Sequence, residues 1–376
     1  MLRYGDVVAL DRRLRDAWVL TVYLGGAPDD PARRRARRAE LAHALASAAR
    51  HDDAAPRAAR EAFAQAAAHV EAWAADAPLA PHDHATVVLA TPAGIEQVAL
   101  LPSAVPTAAV WHRGPFIAPW LGAIEGQRPV LVVRIDGKGA VFDRVEDDRV
   151  VPVARLEAPV PGGDAPHLGD APRLGFHPGT RGRTARDAMA RARRDVQARL
   201  VDDVAARCET EAADGCWVLL GGAERAVHAV GDRLPASLAP RTDRDGPPMG
   251  ATPAEVVVAA QGAARRLREA AEAARVGAIE DAAHANGRAA LGDEETRFAL
   301  RRGQVDALIL TPDYLDQHVD DATAVVQAAL DQGARVEVVH GEPAARLARW
   351  GGMAAALRYP LAALVIGALA GAPPSA

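Results

Sequence analysis

Three runs of aliphatic and β-branched residues, Trp18–Leu24, Val130–Ile135 and Val305–Leu310, constrain this chain most strongly. Each has strand length and almost no charge. A glycine turn stands beside each: Gly25-Gly26, Asp136-Gly-Lys-Gly139 and Gly303. Near-continuous apolar runs of this kind read as strands covered on both faces. Between them lie long alanine- and arginine-rich stretches with helical spacing. Strands alternating with helices indicate layered α/β architecture. At 376 residues the chain exceeds a single ordinary core, and about 100–200 residues per domain gives two or three.

The first region, 1–126, reads as an N-terminal α/β domain. After the strand at Trp18–Leu24, the spacing predicts helices over Pro31–Arg50 and Pro56–Ala75, then a hairpin from Thr86–Ala90 and Ile95–Leu100. Pro102–Gln127, rich in proline and glycine, reads as a connecting segment. The middle region, 127–248, opens with Val130–Ile135, a turn, and strands at Ala140–Val145 and Arg149–Leu156. A long Gly-, Pro- and His-rich stretch follows, Pro159–Arg183. Thr184 reads as the N-cap of a long helix, with Asp187 in a capping-box-like position. Met189, Val196, Leu200 and Val204 form its apolar stripe, and Arg186, Arg193 and Arg194 are placed outside that stripe. A buried strand at Cys216–Leu220 comes next, and Thr242–Pro248 reads as the exit. The last region, 249–376, gives one or two helices over Pro253–Asn286, a helix at Asp293–Arg302 and the strand Val305–Leu310. Beyond these come a helix at Ala322–Gln332, a strand at Arg335–Val339 and a helix at Ala344–Trp350. That alternation predicts an α/β sandwich with a largely parallel sheet. The apolar tail Leu361–Ala372 reads as a terminal strand, since a spanning helix needs about 20 residues.

Net charge is −5, so contact with nucleic acid must come from local patches. Two are visible. Arg33, Arg34, Arg35, Arg37, Arg38 and Arg50 face only Glu40 within 31–50. Arg181, Arg183, Arg186, Arg191, Arg193, Arg194 and Arg199 face only Asp187 and Asp195 within 179–200. The first run, on an exposed helix, reads as a solvated face. Cys208 and Cys216 lack the spacing and the histidine companions of a zinc site, so no metal and no cofactor is expected. Without a disulfide framework or signal core, the expected compartment is the cytoplasm, with no membrane partner. His82 and His84 have no third ligand beside them. Asp136-Gly-Lys-Gly139 lacks the phosphate-loop pattern, and no nucleophile elbow, zincin motif or dinucleotide fingerprint is present.

The order of parts resembles the bacterial archaeo-eukaryotic release factor-like family, within the release factor and Pelota superfamily. Gln127-Arg-Pro-Val-Leu-Val-Val-Arg-Ile-Asp-Gly-Lys-Gly-Ala-Val-Phe142 resembles the opening hairpin of that family's middle domain. Phe298-Ala-Leu-Arg-Arg-Gly-Gln-Val-Asp-Ala-Leu-Ile-Leu310 resembles the start of its last domain's core. Gly351-Gly-Met-Ala-Ala-Ala-Leu-Arg-Tyr359 resembles the closing segment. The resemblance covers about Gln127 to Tyr359, and the first domain matches more loosely. It implies an RNase H-like middle domain and a last domain similar to the ribosomal kink-turn-binding fold. As partners it implies the ribosome, at its rRNA and tRNA site, and a translational GTPase.

In true release factors a Gly-Gly-Gln loop precedes an arginine-rich helix and hydrolyses peptidyl-tRNA. This chain has Gly175-Phe-His-Pro-Gly-Thr-Arg-Gly-Arg183 at the corresponding place, without the motif. Gly179 and Gly182 permit close backbone approach, and arginines beside a helix N-terminus suit an anion. The candidate RNA-binding set is therefore Gly179, Thr180, Arg181, Gly182, Arg183, Arg186, Arg193 and Arg194, with no catalytic residue assigned. A ribosome-bound tRNA mimic, a peptidyl-tRNA hydrolase working through 159–183 with His177, and a stress-linked binding protein away from the ribosome all remain open readings.

Overall fold

Val7, Leu10 and Leu14 share one side of α1 (Tyr4–Leu14), at the spacing an amphipathic helix requires. The chain then enters β1 (Trp18–Gly25), whose alternating side chains serve two cores. Leu20, Val22 and Leu24 pack under α2 (Pro31–His51) and α3 (Arg57–Asp76), against Leu41, Leu45, Ala66 and Val70. Val19 and Tyr23 point the other way. With β2 (Ala85–Thr91), β3 (Gly94–Leu101) and β4 (Ala108–Arg113), β1 builds a sheet of order β3-β2-β1-β4, antiparallel throughout. The computed structural model describes residues 2–26, 31–51, 56–78, 80–81, 84–101, 103, 105–125, 128–146, 148–158 and 181–361.

Pro102–Gln127 is not a plain connection. It contains β4, which pairs with β1 along Trp18–Tyr23, and α4 (Ala118–Glu125). Its prolines punctuate these elements rather than preventing them, because Pro119 falls at the start of α4, where a missing N–H costs nothing. The turn between them is held by the neighbouring strand. Tyr23 Oη donates to Phe116 O at 2.6 Å, and Phe116 N donates to Thr21 Oγ1 at 3.0 Å.

In the middle region, β5 (Val130–Ile135), β6 (Gly139–Glu146) and β7 (Arg149–Glu157) form an antiparallel meander. The chain continues through α5 (Arg181–Glu211) to β8 (Trp217–Gly222), α6 (Glu224–Gly231) and β9 (Thr242–Gly246). The sheet order is β7-β6-β5-β8-β9, with β8 parallel to β5 and β9 parallel to β8. The expected exit at Thr242–Pro248 therefore holds a strand, formed by pairing with β8 despite its polar sequence. At the end of β8, Gly222 has φ of +107°, and a Cβ there would lie 2.1 Å from Ile135 O, so glycine is required. Helices α5 and α6 cover one face of this sheet. Val256, Ala260, Ala263 and Leu267, from the first half of α7 (Pro253–His284), cover the other.

The last region adds β10 (Ala289–Leu291), α8 (Gly292–Arg301), β11 (Val305–Leu310), α9 (Pro312–Gln317), α10 (Val319–Asp331), β12 (Arg335–Val338), α11 (Gly341–Ala348) and β13 (Met353–Leu357). The sheet order is β10-β13-β11-β12. Only β11 and β12 run parallel, so the expectation of a largely parallel sheet is overturned. Alternation reveals that a helix intervenes between strands, but not from which end the chain re-enters the sheet. Here Gly351 and Gly352, both at φ +81°, reverse the chain into β13. The tail expected as a strand lies, from residue 362, outside the described residues.

By contacts the chain forms two compact units, Met1–Gln127 with Glu272–Ala376, and Arg128–Ala271. Within the first unit, Tyr23, Trp120, Leu308, Val336 and Met353 belong to one buried cluster. Polar links reinforce it: Arg15 Nη1 meets Asp331 Oδ1 at 2.7 Å, and Val336 N donates to Tyr4 Oη at 2.8 Å.

Candidate nucleic-acid interface

Helix α5 has 31 residues, about 46 Å at 1.5 Å per residue. Leu200, Val201, Val204 and Cys208 are buried against the β5–β6–β8 face. Their spacing gives a wider stripe than the sequence suggested. Val196 is half-buried, and Met189 falls among residues whose side chains are not described. The C-terminal end is clamped: Arg144 donates to Asp214 Oδ2 at 2.6 Å and to Glu211 O at 2.9 Å. A cation at the last carbonyls suits the helix dipole. Desolvation is the largest influence on Arg144 and works against its charge, but the bond and charge of Asp214, with the neighbouring Cys216 and Glu146, together outweigh it and raise the arginine's pKa. Desolvation is likewise the largest influence on Asp214, but the bond and charge of Arg144 and the hydrogen bonds from Cys216 together hold its carboxyl below the usual range.

The preceding stretch is different. Arg191, Arg194 and Arg199 are exposed. Among the described residues, Arg194 Nε donates to Ala190 O alone, 3.3 Å away within its own helix. No ion pair involves these three arginines among the described residues. From Leu200 onward α5 is thus an anchor, and the arginines described just before it are presented to solvent.

Gly179 and Thr180 lie outside the described residues, as does most of the Pro159–Arg183 stretch with His177. Arg181, Gly182, Arg183 and Arg186 lie in the first turns of α5, and Arg193 further along, without described side chains. Arg194 is exposed as expected. Two expectations require correction. The helix starts at Arg181, so Thr184 is inside it and is not its N-cap; no proline interrupts the chain after Pro178, so the helical run extends back past Gly182. Secondly, the spacing itself does not set positions 193 and 186 off the stripe. By count they precede Val204 by 11 and 18 residues, about three and five turns, so helical periodicity does not separate them from it; their side chains are not among those described. Arg191 and Arg199, which the candidate set omitted, belong with Arg194 and were visible in the same arginine run.

A cavity of about 660 Å³ adjoins the anchored half, lined by Asp136–Val141, Arg155–Ala158, Val196, Gln197, Leu200 and Met249. Its turn is no phosphate cradle. Asp136 Oδ1 already accepts from Lys138 N at 2.7 Å and Gly139 N at 3.1 Å. In the first region, the arginine run of α2 is not uniformly solvated. Arg33, Arg35, Arg38 and Arg50 are exposed, but Arg37 is 8% exposed and donates to Pro78 O at 3.1 Å. Its burial lowers the guanidinium pKa. His84 is buried and His82 lies outside the described residues; among the described residues no cluster suits a metal ion. No helix among them is long and apolar enough to cross a membrane.

Residues 115–265 match the model of the bacterial archaeo-eukaryotic release factor family 10. No curated protein matches this chain. Among solved structures, Archaeoglobus fulgidus Pelota is similar at 16% identity and a TM-score of 0.39, over 73% of this chain and 79% of that one. The Saccharomyces cerevisiae factor Dom34 is similar at 14% identity and a TM-score of 0.43, over 78% of each chain. An archaeal translation termination factor, aRF1, is similar at 16% identity and a TM-score of 0.25, over 95% and 98%. At these values the structural likenesses say nothing of chemistry.

Proposed function

We propose that this chain, release-factor-like through its segment 115–265, is a ribosome-associated translation factor. In this reading it occupies the tRNA site of the ribosome in rescue, quality control or hibernation. It does so without Gly-Gly-Gln hydrolysis, because that motif is missing from the sequence. The observation that carries the reading is the division of α5. Its apolar half is fixed on a sheet within the family-matched segment, while Arg191, Arg194 and Arg199 stand free to meet phosphate.

The sheet order β7-β6-β5-β8-β9, a meander followed by two parallel strands, supports an RNase H-like middle domain over 127–248. A kink-turn-binding-like last domain over 249–376, and an N-terminal domain over 1–126 facing the decoding centre, complete the proposed assignment. The last domain is the proposed contact for a translational GTPase, and the cytoplasm is the proposed compartment.

Sucrose-gradient sedimentation of cell extract at rising salt tests the reading. The protein should travel with ribosomes at low salt and leave them as salt rises, because phosphate neutralisation releases counterions. Its absence from ribosomal fractions of both growing and starved cells at low salt refutes the proposal. Release of peptide from stalled ribosomes by the purified protein would instead establish a hydrolase.

A further inference from the structure

The sequence shows two arginine runs, but the fold assembles a third patch from residues scattered over 288–359. At the end of the last sheet where β11 and β12 begin and β13 finishes, Arg288, Arg301, Arg302, Arg335 and Arg358 come together. Backbone bonds fix their proximity. Leu357 N donates to Arg288 O at 2.9 Å, and Arg358 N donates to Gln304 O at 2.9 Å. Arg335 lies across from Ala307 in the β11–β12 register. All five side chains are exposed, as is Tyr359 at 49%.

Structural duties account for part of the set. Arg358 donates to Gln332 O at 2.8 Å and stands 3.9 Å from Asp306, and Arg302 lies over the Phe298 ring. Arg288, Arg301 and Arg335 have no ion pair or side-chain hydrogen bond among the described residues. Arg301 also complements the α8 C-terminus, but neither Arg288 nor Arg335 has such a reason. In a chain of net charge −5, five cations gathered around the single carboxylate that pairs with any of them among the described residues, Asp306, favour an anion that spans them. The spread of cations over several elements suits a chain of phosphates, and the exposed tyrosine beside them suits an unpaired base.

We infer that this end of the sheet binds single-stranded RNA through its phosphates, with Tyr359 stacking on a base. The surface chemistry carries this independently of the ribosome reading. The test is fluorescence anisotropy of the full chain with labelled oligouridylate over a salt series. Arg288→Gln, Arg301→Gln and Arg335→Gln together should weaken binding about tenfold or more at low salt, and flatten the log–log salt slope by about 2, at about 0.7 per phosphate contact. Tyr359→Ala should weaken it about fivefold or more with the slope unchanged. The triple Arg→Lys variant keeps the charges and should keep the slope, which guards against a folding artefact. An unchanged slope in the glutamine variant overturns the inference. So does displacement of the RNA by polyglutamate as effective as displacement by unlabelled oligouridylate, which would identify an acidic protein as the partner. Neither arm requires ribosomes, so failure here is distinct from failure of co-sedimentation.

Discussion

Stability and RNA contact should separate along α5. Val204 is fully buried among Leu131, Val218 and Leu220. Replacing it by alanine removes two methyl groups, about 1.6 kcal/mol at about 0.8 kcal/mol each. The space left unfilled raises the cost to about 2–3 kcal/mol. Replacing Arg191, Arg194 and Arg199 by glutamine removes exposed groups, each worth less than about 0.5 kcal/mol. For ribosome affinity the order reverses. Three lost cations should flatten the salt slope by about 2–3 on structured RNA, while Val204→Ala at a temperature where it is folded leaves the slope alone. Urea unfolding followed by circular dichroism reads the first effect, and ribosome pelleting across a salt series reads the second. If the arginine triple unfolds at distinctly lower urea, or pellets like the parent, the division of the helix into anchor and contact is wrong.

Burial pushes the Cys208 thiol up to about 12 and the Cys216 thiol up to about 11; neither should react with a disulfide reagent at neutral pH until urea unfolds the middle unit. Trp120→Ala should destabilise the first unit by about 3–5 kcal/mol in the same unfolding assay, because its side chain is 1% exposed at the shared core. Tyr23→Phe should cost about 1–3 kcal/mol by leaving Phe116 O without its donor. Asp214 has a depressed folded pKa, so its contribution is present above the ordinary carboxylate range and lost as pH falls through the lowered value. Because Asp214 is half exposed, Asp214→Asn should lower the neutral-pH melting stability by no more than about 1 kcal/mol and remove that part of the acid dependence.

The elements legible in the sequence were those whose own residues demand burial. Val130–Ile135 and Val305–Leu310 fold as strands over those same residues, since a run apolar on both faces has few other stable environments. Thr242–Gly246 was illegible because nothing in Thr-Asp-Arg-Asp-Gly favours a strand; its pairing comes from β8, more than twenty residues earlier. The direction of β13 was hidden for a similar reason, since it depends on the path past Gly351 and Gly352. At the candidate interface, the arginine-rich helix was readable because its charges are consecutive. The patch from Arg288 to Arg358 was not, because only strand pairing brings it together.

The shared core of the first unit also imposes an order on synthesis. Tyr23 and Trp120 leave the ribosome early, but Leu308, Val336 and Met353, which cover them, emerge only after the whole middle unit. At about 5–20 residues per second, that leaves the first region's apolar face uncovered for roughly 10–45 s, while residues 128–271 have time to fold. A newborn chain therefore passes through a stage in which its middle is finished and its beginning is waiting. During that stage a chaperone, or a second unfinished copy, competes for the surface that the chain's own last sheet will close.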